Sequence, residues 1–263
     1  MNIIMYDIKN VIIKNLSKWI IWLVCLFLLC TLSLMMLNSP NTQNSSLDLW
    51  IFLVGGVPKY SQGGGIPFSW LFVHALMAFL VGDYLYNELK ENSFYVLIRV
   101  QNREHWFFAK VISVIITIFL FYVTIAIALL LSSFSLNLNA NAWGDYSKNL
   151  FEKEFITSTD PWGFLKISFL MCFVTSVLIS LVQVLLTMII QPLYSYIFII
   201  IVLLMSIYIT HPIFLGKYLM LLQYIDLFQK GIFTGIHVIV YEFIVILCVV
   251  TLGNIYYKKM DLL

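Results

Sequence analysis

Six apolar runs constrain the fold of this chain more than any other feature of its sequence. A helix crosses the roughly 30 Å hydrocarbon core of a bilayer in about 20 residues, because each residue advances it by about 1.5 Å. Backbone groups inside hydrocarbon must also find hydrogen-bond partners within their own segment, which favours helices. The sequence therefore predicts an all-α polytopic membrane protein, with residues 1–263 forming a single transmembrane domain. The predicted spans lie near 19–37, 67–84, 108–134, 164–190, 193–210 and 236–257.

The amino-acid composition also indicates a chain that lies in a lipid bilayer. Hydrophobic residues make up 62% of the chain and charged residues only 11%, whereas soluble domains carry about 25% charged residues. The net charge of +2 is too small to indicate a nucleic-acid partner. Cys25, Cys30, Cys172 and Cys248 all lie within apolar runs, so we expect small hydrophobic side chains there rather than a disulfide or metal set.

Lys and Arg residues predict the sidedness of the chain. The N-terminal arm, the connection between the second and third spans and the C-terminal tail together hold more Lys and Arg than the opposite side. The side richer in these residues faces the cytoplasm. Both termini are therefore predicted to be cytoplasmic, which agrees with an even number of spans.

The N-terminal arm, residues 1–18, has an amphipathic pattern. Ile4, Ile8 and Val11 share one half of a helix, whereas Lys9 and Lys14 occupy the other half. This pattern predicts a helix lying in the inner membrane interface. It leaves open whether that helix only anchors the first span or also moves during function.

The stretch from Asp83 to Lys110 concentrates charge between two apolar runs. Within it, Phe94, Leu97 and Ile98 recur at helical spacing, which predicts a short amphipathic helix in the cytoplasmic segment 87–107. Such a helix is suited to docking into a groove on a soluble partner. The alternative is a solvated loop that lies against the lipid headgroups.

The order of residues in this segment resembles the first cytoplasmic loop of bacterial ABC type 2 exporter permeases. The resemblance rests on Glu88, the pair Asn92-Ser93, the turn "VLIR" from Val96 to Arg99, the pair Asn102-Arg103, and Lys110 at the mouth of the third span. In that family this loop forms the coupling helix that sits on the ATPase subunit. Six spans, an interfacial N-terminal helix and two cytoplasmic termini match the family as well, so the resemblance covers nearly the whole chain.

The resemblance implies a permease subunit in the bacterial cytoplasmic membrane. It would pair with a second permease, identical or different, and with two copies of an ABC ATPase. The exported substrate would be amphiphilic, such as a hydrophobic or antimicrobial peptide, a lipid or a drug-like molecule. Residues 211–235 would form an outer re-entrant segment. The ATPase would contact Glu88, Glu91, Phe94, Leu97, Ile98, Arg99 and Arg103.

The chain contains no phosphate loop of its own. The pattern GxxxxGK[ST] is absent, and Lys59 in "GGVPKYSQGGG" is followed by Tyr60 rather than by Ser or Thr. We therefore expect this chain to bind no cofactor and to have no enzymatic activity. ATP and Mg would bind the separate ATPase subunit.

Two ionisable residues inside predicted spans are candidates for function, because burying them in a membrane is costly. His74 and Glu242 lie at similar predicted depths and are placed to pair. An intramembrane enzyme using His74 and Glu242 is one alternative function, although no HExxH motif accompanies them. The other alternative is a stand-alone immunity or scaffold protein that binds its partner through the outer loops. These loops include the apolar stretch "LDLWIFLV", which is predicted to lie on the outer surface.

A stripe of small and polar residues follows one face of the fourth span. It predicts close helix packing or a dimer seam, or alternatively a face that lines the substrate path. The stripe consists of Ser168, Cys172, Ser176, Ser180, Gln183 and Thr187.

Overall fold

A computed structural model describes residues 16–37, 44–57, 66–87, 103–135, 138, 142–209, 211, 214–224 and 232–259. Within these ranges the elements are α-helices and 3₁₀ helices. The α-helices are α1 (Leu16–Leu37), α2 (Ser46–Val54), α3 (Phe68–Asn87), α4 (Arg103–Ser135), α5 (Asp145–Leu150), α6 (Lys153–Ser158), α7 (Pro161–Ile189), α8 (Pro192–Tyr208) and α9 (Ile232–Lys259). The two 3₁₀ helices, Leu215–Leu219 and Leu221–Tyr224, are called the 3₁₀ pair below.

Each of the six predicted spans coincides with one helix, namely α1, α3, α4, α7, α8 and α9. Their ends differ from the predicted bounds by a few residues. The largest difference is at α4, which begins at Arg103, so the end of the segment predicted over 87–107 already belongs to this helix. Four helices of the described chain are long and apolar enough to cross a membrane: α1, α4, α7 and α9. The shorter stretches Phe68–Gly82 of α3 and Pro192–Tyr208 of α8 are apolar too.

Helix α7 is the centre of the bundle. It packs against α3, α4, α8, α9 and the first of the 3₁₀ helices, and 67% of it is buried, compared with 17% of the stretch His237–Lys258 in α9. Its start is well specified, because the Asp160 side chain accepts a hydrogen bond from the Gly163 N–H at 2.9 Å and proline occupies the first turn. It ends before Pro192, whose ring cannot continue a preceding helix.

Three of the segments that connect the helices gather at one end of the bundle, which we call the cap end. The Ser147 N–H of α5 donates to the Asp48 carboxylate of α2 at 2.9 Å, and the Leu222 N–H of the 3₁₀ pair donates to the Gly55 carbonyl at 2.8 Å. Segments 44–57, 142–158 and 214–224 follow α1, α4 and α8 respectively. Their meeting at one end is the arrangement expected when these three helices all run in the same direction.

The apolar stretch in α2 is inside the cap rather than on its outer surface. Leu49, Ile51 and Val54 have no exposed surface, and α2 contacts α1, α3, α4 and α5. The side chains of this stretch are therefore covered by protein rather than free to lie on a membrane surface, while the side of the membrane on which the stretch lies stays a prediction. A helix this apolar on all sides is stable only when neighbours cover it completely.

Two predicted segments lie largely outside the described residues. These are the interfacial helix predicted for 1–18, of which only residues 16–18 are described as the first turn of α1, and the coupling segment, of which 88–102 are not described.

Candidate functional site

The end of the bundle opposite the cap is held by contacts between α4 and α9, which we call the clamp. The Glu104 carboxylate and the Lys258 ammonium are 2.6 Å apart. The ring of Trp106 stacks on that of Tyr257, with 4.9 Å between the centroids and 12° between the planes. Since Glu104 and Trp106 lie in the first turns of α4, the clamp joins the start of α4 to the last turns of α9.

Close approach of the two helices at the clamp depends on a glycine. A Cβ on Gly253 of α9 would come within 2.6 Å of the Phe107 ring and of the Leu185 side chain. With any other residue here, the Phe107 ring and the Leu185 side chain would have to shift or α9 would have to move away from α4 and α7. The clamp is therefore a packed contact as well as a surface ion pair.

The environment of Lys110 differs from the predicted one, which was the mouth of the third span. It lies two turns inside α4 and is 1% exposed. Its ammonium group is 5.2 Å from the centroid of the Trp106 ring, within the range of a cation–π interaction. The lysine is therefore part of the packing that backs the clamp.

The residues predicted to contact an ATPase can be only partly placed. Glu88, Glu91, Phe94, Leu97, Ile98 and Arg99 lie outside the described residues. Arg103 is the first residue of α4 and therefore adjoins the clamp. Contact between these residues and a partner stays a prediction.

The polar stripe of α7 is buried against other helices of the same chain. The Trp50 Nε1–H of α2 donates to Ser168 Oγ at 3.0 Å, and the hydroxyl groups of Tyr122 in α4 and Ser176 are 2.7 Å apart. Both serines have no exposed surface. This half of the stripe packs α7 against α2 and α4.

The remaining residues of the stripe are buried in the same way. Gln183 Nε2 donates to the Ala78 carbonyl of α3 at 2.8 Å, and Thr187 donates to the Val184 carbonyl within its own helix at 2.7 Å. Ser180 has no exposed surface. The stripe thus joins helices in this structure, while a role in a substrate path stays a prediction.

A double-mutant cycle can measure the link between α4 and α7. We expect Tyr122→Phe and Ser176→Ala to show a coupling energy of about 0.6 kcal/mol, the average for hydrogen bonds between membrane helices. Unfolding in mixed detergent micelles gives the four stabilities. In the control, Thr124→Ala replaces Tyr122→Phe. The Thr124 hydroxyl bonds to its own helix, so coupling to Ser176→Ala should be near zero, and equal coupling in both cycles would contradict a direct bond.

His74 and Glu242 are buried in protein, as the cost of exposing them to lipid predicts, but they do not form the predicted pair. Each is 1% exposed. His74 Nδ1 is 2.7 Å from the Trp70 carbonyl of its own helix, whereas Glu242 Oε1 is 2.6 Å from Thr175 Oγ1 of α7. An intramembrane enzyme that uses both groups at one centre is not favoured by these separate contacts.

The cap is organised around a buried carboxylate that the sequence prediction missed. Asp48 has no exposed surface, and it accepts hydrogen bonds from the backbone N–H groups of Ser45 at 3.0 Å and Ser147 at 2.9 Å. Burial raises the pKa of the nearby Tyr146 phenol, and the charge of Asp48 adds to that rise. A signal was present in the sequence, because Ser45 and Asp48 form a capping box immediately before an apolar run.

Gly144 leaves room for this carboxylate. A Cβ at Gly144 would overlap the Asp48 side chain, whereas one at Gly163 would meet only Asp160 at 3.6 Å. We expect Gly144→Ala to destabilise the protein by about 2 kcal/mol, the usual cost of overpacking, and Gly163→Ala to be close to neutral. Thermal unfolding in detergent measures both, and equal melting temperatures for the two variants would contradict this packing.

Comparison with known proteins gives a family and no function. The family model described as "Protein of unknown function (DUF2705)" matches residues 52–263. No curated protein and no solved structure matches the chain.

Proposed function

The chain belongs to the DUF2705 family of proteins of unknown function, and from its own residues we propose that it is the transmembrane permease subunit of an ATP-driven ABC type 2 exporter. In this proposal all six apolar helices cross the bacterial cytoplasmic membrane. The clamp end faces the cytoplasm and the cap end faces outward. The proposal is supported by the residue order of the segment from Asp83 to Lys110 and by the all-helical membrane fold.

One observation carries the proposal. The charged segment enters α4 at Arg103, and the next turns of α4 are fastened to α9 by the Glu104–Lys258 ion pair and the Trp106–Tyr257 stack. A solvated loop that only followed the headgroups would have no need of such an attachment. A segment that is pushed by a soluble ATPase would need one, because the push must reach the spanning helices.

The mechanism follows from this attachment. When ATP closes two ATPase subunits, the amphipathic helix around Phe94 to Ile98 is displaced, and α4 and α9 move together through the clamp. Helix α7 is held to α2 and α3 by the bonds of Ser168 and Gln183. In this proposal the two bundle parts move relative to each other at the seam between α7 and the α4–α9 unit, which is crossed by the Tyr122–Ser176 and Thr175–Glu242 contacts.

The partners follow from the same proposal. Two permease subunits, identical or different, would face each other and carry two ATPase chains with ATP and Mg. Apolar anchors in the coupling segment would carry most of the binding energy, and its charged residues would chiefly orient the contact. The exported substrate would be an amphiphile such as a hydrophobic peptide, a lipid or a drug-like molecule.

Affinity purification from the native membrane tests the assembly. We expect a tagged chain purified in mild detergent to retain a protein that contains the GxxxxGK[ST] motif. The two proteins should be present in equal molar amounts. Mass spectrometry of the intact complex gives the stoichiometry and shows whether one or two permeases are present. Purification of the chain without any such ATPase, under conditions that preserve its fold, would contradict the proposal.

A further inference from the structure

Glu242 is a buried acidic residue that has no role in the export mechanism proposed above. It lies ten residues after the start of α9 at Ile232, about 15 Å along the helix at 1.5 Å per residue. Its Oε1 is 2.6 Å from Thr175 Oγ1, and its Oε2 is buried with no hydrogen-bond partner among the described residues. An ionised carboxylate in this position would leave half of its charge uncompensated inside the bundle, which is costly.

The hydrogen bonds of Thr175 indicate where the proton lies. Thr175 Oγ1 is also 2.9 Å from the carbonyl of Met171, one turn earlier in α7. A hydroxyl group has one hydrogen to donate, and a carbonyl oxygen can only accept. If that hydrogen goes to Met171, Thr175 Oγ1 can only accept at its other contact, so the hydrogen between it and Glu242 must come from the carboxyl group.

Other buried hydroxyl groups of this bundle use their hydrogen in that way. Ser33, Thr117 and Ser132 each donate to the carbonyl four residues earlier, at 2.7, 2.8 and 2.7 Å. Ser and Thr inside helices commonly donate to this carbonyl when their hydroxyl groups are shielded from water. Thr175 follows the same pattern, and Glu242 is then the donor at 2.6 Å.

The described part of the chain places no cation where it would hold Glu242 ionised. Within the described residues Glu242 forms no ion pair with Lys or Arg. The titratable groups near it include the Cys172 thiol and the Tyr218 phenol, neither of which is a cation. The titratable and charged residues of the elements around it are Lys166 and Cys172 on α7, Lys217, Tyr218 and Tyr224 on the 3₁₀ pair, Arg103, Glu104, His105, Lys110 and Tyr122 on α4, and His237, Tyr241, Cys248, Tyr256, Tyr257, Lys258 and Lys259 on α9.

We propose that Glu242 is a proton-binding site, at which the carboxyl group holds a proton and donates it in a hydrogen bond to Thr175 while α7 and α9 are packed together. When the seam between these helices opens to water, the O–H bond breaks, the proton passes to water and the carboxylate remains. Closing the seam takes one proton back from water. Low pH therefore favours the packed arrangement, and high pH favours the open one.

Infrared difference spectroscopy reads the protonation state directly. We compare wild type with Glu242→Gln, which has the shape of the neutral acid and should keep the packing. Near neutral pH the difference spectrum should contain the carbonyl stretch of one protonated carboxyl group, and this band should vanish at alkaline pH as the carboxylate forms. A difference spectrum with only carboxylate bands near neutral pH would overturn the proposal.

The matched control is Glu104→Gln, because Glu104 is ion-paired with Lys258 and partly exposed. Its difference spectrum should contain carboxylate bands alone. A second measurement needs no variant: a hydrophobic carbodiimide adds to protonated carboxyl groups in apolar surroundings, so peptide mass spectrometry of treated wild-type protein should find the adduct at Glu242. An unmodified Glu242 under those conditions would overturn the proposal, and neither measurement depends on whether the protein is an exporter.

Discussion

Leu97→Asp should abolish association with the ATPase while leaving membrane insertion intact. The sequence places Leu97 between Phe94 and Ile98 on the apolar face of the predicted coupling helix, in the part of the chain outside the described residues. A charge buried at the centre of an interface costs on the order of 2 kcal/mol or more, which is about a 30-fold loss of affinity. Co-purification of the ATPase with the tagged variant measures the effect.

A charge on the other face of the same helix is the matched control. Asn92 lies about 160° around the helix from Phe94, away from the apolar positions, so Asn92→Asp adds the same side chain outside the predicted groove. We expect this variant to retain the ATPase and both variants to reach the membrane in equal amounts. Retention of the ATPase by Leu97→Asp would mean that the segment is a solvated loop.

Asp48→Ala should cost about 4 kcal/mol of stability. The substitution removes the acceptor for the backbone N–H groups of Ser45 and Ser147, and both bonds are buried. Each unsatisfied buried donor costs about 1–3 kcal/mol, and the capping box of α2 is lost at the same time. Thermal unfolding in detergent should give a much lower melting temperature, with early proteolytic cleavage near residues 142–158.

Asp145→Ala controls for the removal of a carboxylate from the same region. Asp145 forms a partly exposed ion pair with Lys148 at 3.4 Å, and such pairs contribute less than about 1 kcal/mol. We expect a melting temperature close to that of wild type. Similar losses in the two variants would show that Asp48 does not hold the cap together.

The helices could be predicted from the sequence because their signal is local. A run of apolar residues near span length needs no knowledge of its neighbours, and helices begin close to the predicted start of every span. The ends were less certain, because the first turns of α4 are charged yet helical. Glu104 and Trp106 there are stabilised by Lys258 and Tyr257, which lie about 150 residues away in sequence.

The contacts of the buried polar groups could not be predicted in the same way. Depth along a helix suggested a pair between His74 and Glu242, but pairing also requires that the two side chains point toward each other. Glu242 instead meets Thr175, a residue outside the stripe of α7. The burial of α2 depended likewise on the fold of residues far away, since α5 and the 3₁₀ pair cover it.

Hydrolysis of ATP in proteoliposomes that contain the permease and its ATPase tests the central claim most directly. The account predicts that amphiphilic peptides or lipids stimulate hydrolysis, that Asn92→Asp permease supports the same stimulation, and that Leu97→Asp permease supports none. The account would be contradicted if the rate of ATP hydrolysis were the same with wild-type permease, with Leu97→Asp permease and with no permease at all.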